Sequence, residues 1–239
     1  MKKISAVLLS LLLLGLCACG SGGGKTTNEE KPQYDDSLIT ETCSDEGSYT
    51  DGTGNGEAYS YHVPALVANS AAAETINSAI EDKFGSAVEE NKKNMEDKLS
   101  LYIRGVSWKT YWHDSVVCLV IRAEYDASDY VDYGVYSYDF ASNTAVTNAQ
   151  LFDMAALTED EFLTKAREEV GKAFDSANSE IKDSFDGYDD LRDWTLSDDN
   201  VNADMMTYID GDGALTVIAP IGVPAGGGWY YDNVIVSKP

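Results

Sequence analysis

The side chains that could perform acid–base or metal chemistry in this chain are mostly carboxylates. The 239 residues include 2 His, His62 and His113, which excludes a three-histidine zinc site and leaves only these two as the base of a catalytic triad. The sequence contains no Gly-x-Ser-x-Gly elbow and no His-Glu-x-x-His motif. Among 41 acidic residues, pairs such as Asp189–Asp190 arise by chance. We therefore expect no catalytic residue, metal site or cofactor, and a protein that is not an enzyme. An enzyme that uses an unrecognised carboxylate pair is kept as the third alternative.

Cys19 is the residue whose neighbours predict a covalent modification. The chain starts with the basic "MKK", and the apolar run that follows has the length of a secretory signal and is too short to span a bilayer. The segment "LCAC" then resembles a bacterial lipobox with Cys19 as its modified residue. A diacylglycerol thioether would supply two acyl chains, enough for stable attachment. We predict a lipoprotein signal peptide at residues 1–18, and a protein held at the extracytoplasmic face of the cell membrane by this lipid anchor only.

Residues 19–37 are predicted to be a flexible tether, because they are rich in glycine, polar and charged residues and offer almost no apolar side chain to bury. The remaining residues, 38–239, are sufficient for one domain with a single sizeable core.

The net charge of the chain is −24, and loss of the signal peptide with its two lysines makes it more negative. Such a surface disfavours nucleic acid and attracts cationic partners, although high charge also serves solubility alone. Asp175 to Asp212 contains 12 acidic and two basic residues and has the composition of loops and a short helix. Our hypothesis is that this segment contacts a basic partner through Asp186, Asp189, Asp190 and Asp193.

Hydrophobic periodicity predicts an α+β fold, an antiparallel sheet with two main helices packed against it. The first helix begins at Asn69 or Ser70 and continues to Leu99 with at most an interruption at Gly85, and the second follows a Thr158–Glu161 capping box. Strands are predicted within 57–66, 101–112, 115–125, 132–140, 201–209, 214–218 and 233–236.

Two further patterns leave alternatives open. The segment "DGTGNGEAYSYH" at 51–62 places Asp51, Thr53 and Asn55 at EF-hand ligand positions but has His62 at the twelfth, so a calcium loop and a plain hairpin turn both fit. Cys43 and Cys118 could form a disulfide in an exported protein, or Cys118 could pack as a small apolar residue in its buried strand. "DGDG" at 210–213 is predicted to be a hairpin turn.

Aromatic residues provide the second candidate surface. Trp108, Tyr111 and Trp112, together with Trp229, Tyr230 and Tyr231, could line a groove that stacks on sugar rings or anchors a protein. The alternative is that these side chains bridge core and solvent in ordinary strands.

The order of elements resembles a known family. The segments "YHVPAL", "INSAIEDKF", "YGVYSYDFASNTAVTNAQLFD" and "DGDGALTVIAP" are similar to the RsiV/PdaC-type extracellular domain of unknown function, which is shared by a lysozyme-sensing anti-sigma factor and a peptidoglycan deacetylase. Matching positions are Pro64, Asn77, Tyr138, Phe140, Leu151, Phe152, Gly213, Leu215 and Gly226. For most of these we expect structural roles, with Asn77 bonding backbone at a packing seam.

The resemblance implies a lipid-anchored surface protein that recognises a cationic protein such as lysozyme. The alternative that it implies is a module that binds peptidoglycan or another wall glycan. The salt dependence of binding distinguishes the two alternatives, because charge-driven binding weakens with ionic strength, whereas binding by aromatic stacking hardly changes. We expect a monomer.

Overall fold

The computed structural model describes residues 33–125, 130–224 and 228–238. The predicted signal peptide, Cys19, most of the tether and Gly226 lie outside these residues, and the corresponding predictions stay predictions.

Within the described residues the strands form two sheets, not the one antiparallel sheet that the sequence predicts. The larger has the order β1 to β6, and the smaller has the order β7-β8-β9. The strands are β1 (Ile39–Thr50), β2 (Gly56–Leu66), β3 (Ile103–His113), β4 (Val116–Tyr125), β5 (Val131–Asp139), β6 (Thr144–Ala145), β7 (Met206–Ile209), β8 (Leu215–Gly222) and β9 (Trp229–Ser237).

The larger sheet is mixed, which corrects the prediction of antiparallel pairing throughout. β2 and β3 run parallel, with Ser60 opposite Gly105 and Tyr61 opposite Val106. The helical segment between them carries the chain back across the sheet before β3 begins, and such a crossover produces parallel neighbours. The predicted α+β class stands, and β3, β4 and β5 form the expected antiparallel meander.

The helices are α1 (Ala71–Ile80), α2 (Ser86–Glu96), α3 (Asn148–Met154), α4 (Glu159–Ala177) and α5 (Tyr188–Thr195). α1 and α2 are joined by a π-helical turn, Glu81–Gly85, so that the predicted long helix is continuous through Gly85. Ser70 caps its start by accepting a hydrogen bond from the Ala73 amide.

The long helix ends earlier than predicted. Lys98 adopts a left-handed backbone (φ 57°), which terminates the helix in the manner that glycine usually does. Leu99 therefore lies outside the helix and is 54% exposed, not on the apolar face.

Two apolar cores lie on opposite faces of β4. Val116, Cys118 and Val120 pack into one core with the smaller sheet, α3, α4 and α5. The residues between them, including Val117 and Leu119, pack into the other with α1 and α2. Burial on both faces explains the continuous apolar run of this strand.

The structure leaves Cys43 and Cys118 as free thiols. Cys118 is fully buried in the first core, whereas Cys43 packs at the edge of the second. The two side chains thus pack in different cores, and they do not form a disulfide.

Asn77 has the role expected of it. Its side-chain oxygen accepts from the Leu66 amide (2.8 Å) and its nitrogen donates to the Leu66 carbonyl (3.0 Å). The side chain therefore joins α1 to the end of β2 as another peptide group would.

Candidate recognition surface

The four aspartates of the acidic hypothesis lie in and just before α5, and all four are exposed. Asp189 and Asp190 occupy the first turn of the helix, where negative charge is favourable. α5 buries Tyr188 and Thr195 on its opposite side. The carboxylates therefore face solvent because the helix is held by its other face.

Polar contacts fix α5 against its neighbours. The Arg192 guanidinium binds the Asp175 carboxylate of α4 (Nε to Oδ1, 3.0 Å) and lowers the pKa of that carboxyl. The Thr195 hydroxyl accepts a hydrogen bond from the Gly222 amide (3.1 Å) at the end of β8. The acidic helix is thus tied to both α4 and the smaller sheet.

Trp194 connects α5 to the aromatic residues of β9. Trp194 is 39% exposed, and its ring centroid lies 6.5 Å from that of Trp229. Trp194 is not among the predicted site residues, although a tryptophan in the charged stretch "DDLRDWT" is a signal for a functional surface. The acidic and aromatic candidates consequently adjoin each other.

A cleft of about 220 Å³ lies beside Trp229, between β9 and the start of β5. Trp229 contacts Tyr130 edge to face (5.7 Å, 82°) and Tyr231 edge to face (4.9 Å, 77°). The Tyr231 ring in turn contacts Tyr133 (5.6 Å, 89°). The side chains that line the cleft are Arg122, Tyr130, Val131, Tyr133, Trp229, Tyr230 and Tyr231. We call this the aromatic cleft.

The predicted groups of aromatic residues do not meet in one groove. Trp108 donates a hydrogen bond to Glu41 (2.9 Å) and Trp112 donates to Asp36 (2.8 Å). Tyr111 stacks on Tyr208 (4.2 Å). These three side chains brace β3 against other elements, as the alternative of ordinary strand residues predicts, and they are not among the residues that line the cleft beside Trp229.

The two hairpin turns use their aspartates internally. Asp51 accepts hydrogen bonds from the Thr53 hydroxyl (2.7 Å) and from the Thr53 and Asn55 amides, and these bonds lower the pKa of Asp51 to about 2. Thr53 and Asn55 therefore donate to Asp51, which favours the plain turn over the calcium loop. Asp210 accepts from the Asp212 and Ala214 amides, as predicted for a hairpin turn.

His62 lies between two glutamates of β1. Its Nδ1 is 3.1 Å from Glu41 and its Nε2 is 2.7 Å from Glu46. The hydrogen bonds to Glu41 and then to Glu46 raise the pKa of His62. Partial burial acts to raise the pKa of Glu41, but hydrogen bonds from His62 and Trp108 outweigh it and lower that pKa. This histidine thus cross-links the β1–β2 hairpin when it is protonated.

The His62 contacts predict a pH-dependent contribution to stability. The pKa of His62 in the folded protein is raised above 6.5. The stability that His62 contributes is therefore fully present below its pKa in the unfolded chain, and it is lost as pH rises through its pKa in the folded protein. The pKa of Glu41 is lowered in the folded protein, so the stability that the ionised Glu41 carboxylate contributes begins to be lost as pH falls below about 4.5. We expect His62→Gln to lower the melting temperature more at pH 5.5 than at pH 8.5. If His62→Gln lowered the melting temperature equally at both pH values, the charged imidazolium would contribute nothing to stability.

None of the helices in the described part of the chain is long and apolar enough to cross a membrane. The same residues contain no cluster of three or more His, Cys, Asp or Glu side chains suited to a metal ion.

No protein-family model matches the sequence, and no curated protein matches it. A crystal structure of a DUF3298 family protein from Pseudomonas aeruginosa PAO1 is similar over 83% of this chain and 89% of that chain, with 12% sequence identity and a TM-score of 0.49.

Proposed function

We propose that this chain is a binding protein that recognises a basic protein, with lysozyme as the first candidate. The observation that carries the proposal is the position of α5, which presents Asp189, Asp190 and Asp193 to solvent beside Trp194 and, through it, Trp229. Acidic side chains around exposed aromatic anchors suit a cationic partner, because the charges steer its approach and the rings supply contact area. Lysozyme enters through the resemblance to the RsiV/PdaC-type domain.

The aromatic cleft favours a second candidate, a wall glycan. Sugar rings stack on aromatic side chains, and Trp229, Tyr230 and Tyr231 border one cleft. In this alternative the acidic helix maintains solubility.

Binding at two ionic strengths tests the proposal. We expect the affinity for lysozyme to fall by about tenfold or more between 50 and 500 mM salt, because exposed charges are screened over about 10 Å at 0.1 M and less at higher salt. The measurement is a titration of the protein with lysozyme and, in parallel, with solubilised peptidoglycan fragments. Salt-insensitive binding to the fragments, with none to lysozyme, would replace the proposal by the glycan alternative.

We further propose that the protein acts at the extracytoplasmic membrane surface, anchored through Cys19. A Cys19→Ala variant should leave the membrane fraction, since it loses both acyl chains. Cys17→Ala is the matched control, because that cysteine is expected to leave with the signal peptide. Retention of Cys19→Ala in the membrane fraction would contradict the anchor.

A further inference from the structure

The rings of the aromatic cleft meet at nearly right angles. Trp229 stands at 82° to Tyr130 and at 77° to Tyr231, and Tyr231 stands at 89° to Tyr133. Each contact places the edge of one ring against the face of the next. Neighbouring rings therefore border the cleft at steep angles to one another, and a group that enters the cleft meets several aromatic side chains at once.

The size of the cleft suits a small group. Its volume of about 220 Å³ is below the roughly 300–1,000 Å³ that is typical of sites for drug-sized ligands. A single head group or one long side chain is thus the expected occupant.

The electrostatic setting of the cleft favours a cation. Arg122, which lines the cleft, is paired with Glu124. Nearby Lys83 is likewise paired with Asp132 (2.9 Å). Burial, and then the fields of Tyr130 and Asp132, raise the pKa of Tyr231, so its ring stays neutral. The positive charges of Arg122 and Lys83 are offset by these carboxylates, and most of the other side chains that line the cleft are aromatic. Aromatic π-systems attract positive charge.

We propose that the aromatic cleft is a cage for an organic ammonium ion, either a quaternary ammonium group or the ammonium group of a lysine side chain. Aromatic walls attract such ions through the ring quadrupole, and the attraction grows when the ion is desolvated. Tyr130, Tyr133, Trp229 and Tyr231 form the walls. This site does not depend on the acidic helix for its chemistry, so it stands apart from the proposal of a basic protein partner.

Calorimetric titration of the full-length protein, in a detergent without an ammonium head group, tests the cage. The probes are choline, its neutral carbon analogue 3,3-dimethyl-1-butanol, and Nα-acetyl-lysine amide. We expect the neutral analogue to bind at least about tenfold more weakly than the better cation, because it lacks the charge that the rings attract. Preference for choline identifies a quaternary ammonium ligand, and preference for the lysine derivative identifies a protein side chain. Equal binding of the neutral analogue, or no cation binding at 10 mM, overturns the cage.

Two wall variants and one control locate the site. Trp229→Leu and Tyr130→Leu should each weaken cation binding by about tenfold or more. Tyr130 is 42% exposed, so its replacement leaves the fold intact even if Trp229→Leu does not. Phe185→Leu is the control, because Phe185 is 37% exposed and is not among the residues that line the cleft. Cation binding that survives both wall variants overturns the proposal. Lysozyme binding without cation binding would remove the cage and leave the proposed function standing.

Discussion

Replacement of Asn91 by alanine is expected to lower the free energy of unfolding by about 3–5 kcal/mol. Asn91 lies on α2 and is fully buried. Its side-chain nitrogen donates to the Tyr61 hydroxyl (2.7 Å) and to the Ile103 carbonyl, and its oxygen accepts from the Tyr102 amide (2.8 Å). Alanine would remove the acceptor of the Tyr102 and Ile103 amides, at a cost of about 1–3 kcal/mol each. The Tyr61 hydroxyl and the Ile103 carbonyl keep the hydrogen bond between them (2.9 Å).

Chemical denaturation of the Asn91→Ala variant measures this loss. Lys93→Ala is the control, because Lys93 is exposed on the same helix and should change stability by less than about 0.5 kcal/mol. A loss below about 1 kcal/mol for Asn91→Ala would show that water or a shifted backbone satisfies these groups.

The fold was predictable where local patterns carry it. The capping box of Thr158 and Glu161 starts α4 as expected, and the apolar run around Cys118 forms a strand buried on both faces. β1 was missed because its sequence, "ITETCSDEGSYT", is mostly polar, and an edge strand needs little apolar burial. The parallel pairing of β2 and β3 depends on how the helical crossover packs, which neither strand encodes alone.

The candidate surface was predicted in separate parts. The exposure of Asp189 and Asp193 follows from composition, and the aromatic character of β9 can be read directly from "WYY". Their proximity depends on the contact between Trp194 and Trp229, which joins residues distant in sequence. The burial of Asn91 was not predicted, because in "EENKK" it has the neighbours of an exposed polar position. The packing of α2 on the sheet buries it.

Neutralising the acidic helix is the second large effect that we expect. Asp186→Asn, Asp189→Asn, Asp190→Asn and Asp193→Asn together remove four negative charges while keeping side-chain size and polarity. Because exposed charges act mainly by steering the encounter, the variant should associate with lysozyme about tenfold more slowly at low salt, with a smaller change in the dissociation rate. Its association rate should also depend less steeply on ionic strength.

A second variant with the same charge change elsewhere makes this comparison decisive. Asp82→Asn, Glu89→Gln, Glu90→Gln and Glu96→Gln remove four exposed charges from the π-helical turn and α2, so the two variants have equal net charge. We propose above that α5 and the adjoining aromatic residues form the surface for a basic partner. The most direct test is the association rate of both variants with lysozyme at 20 mM salt, with circular dichroism to verify the fold. We expect a clearly slower rate for the α5 variant than for the α2 variant. Equal rates would contradict it, because the charge would then act through the whole molecule and not through α5.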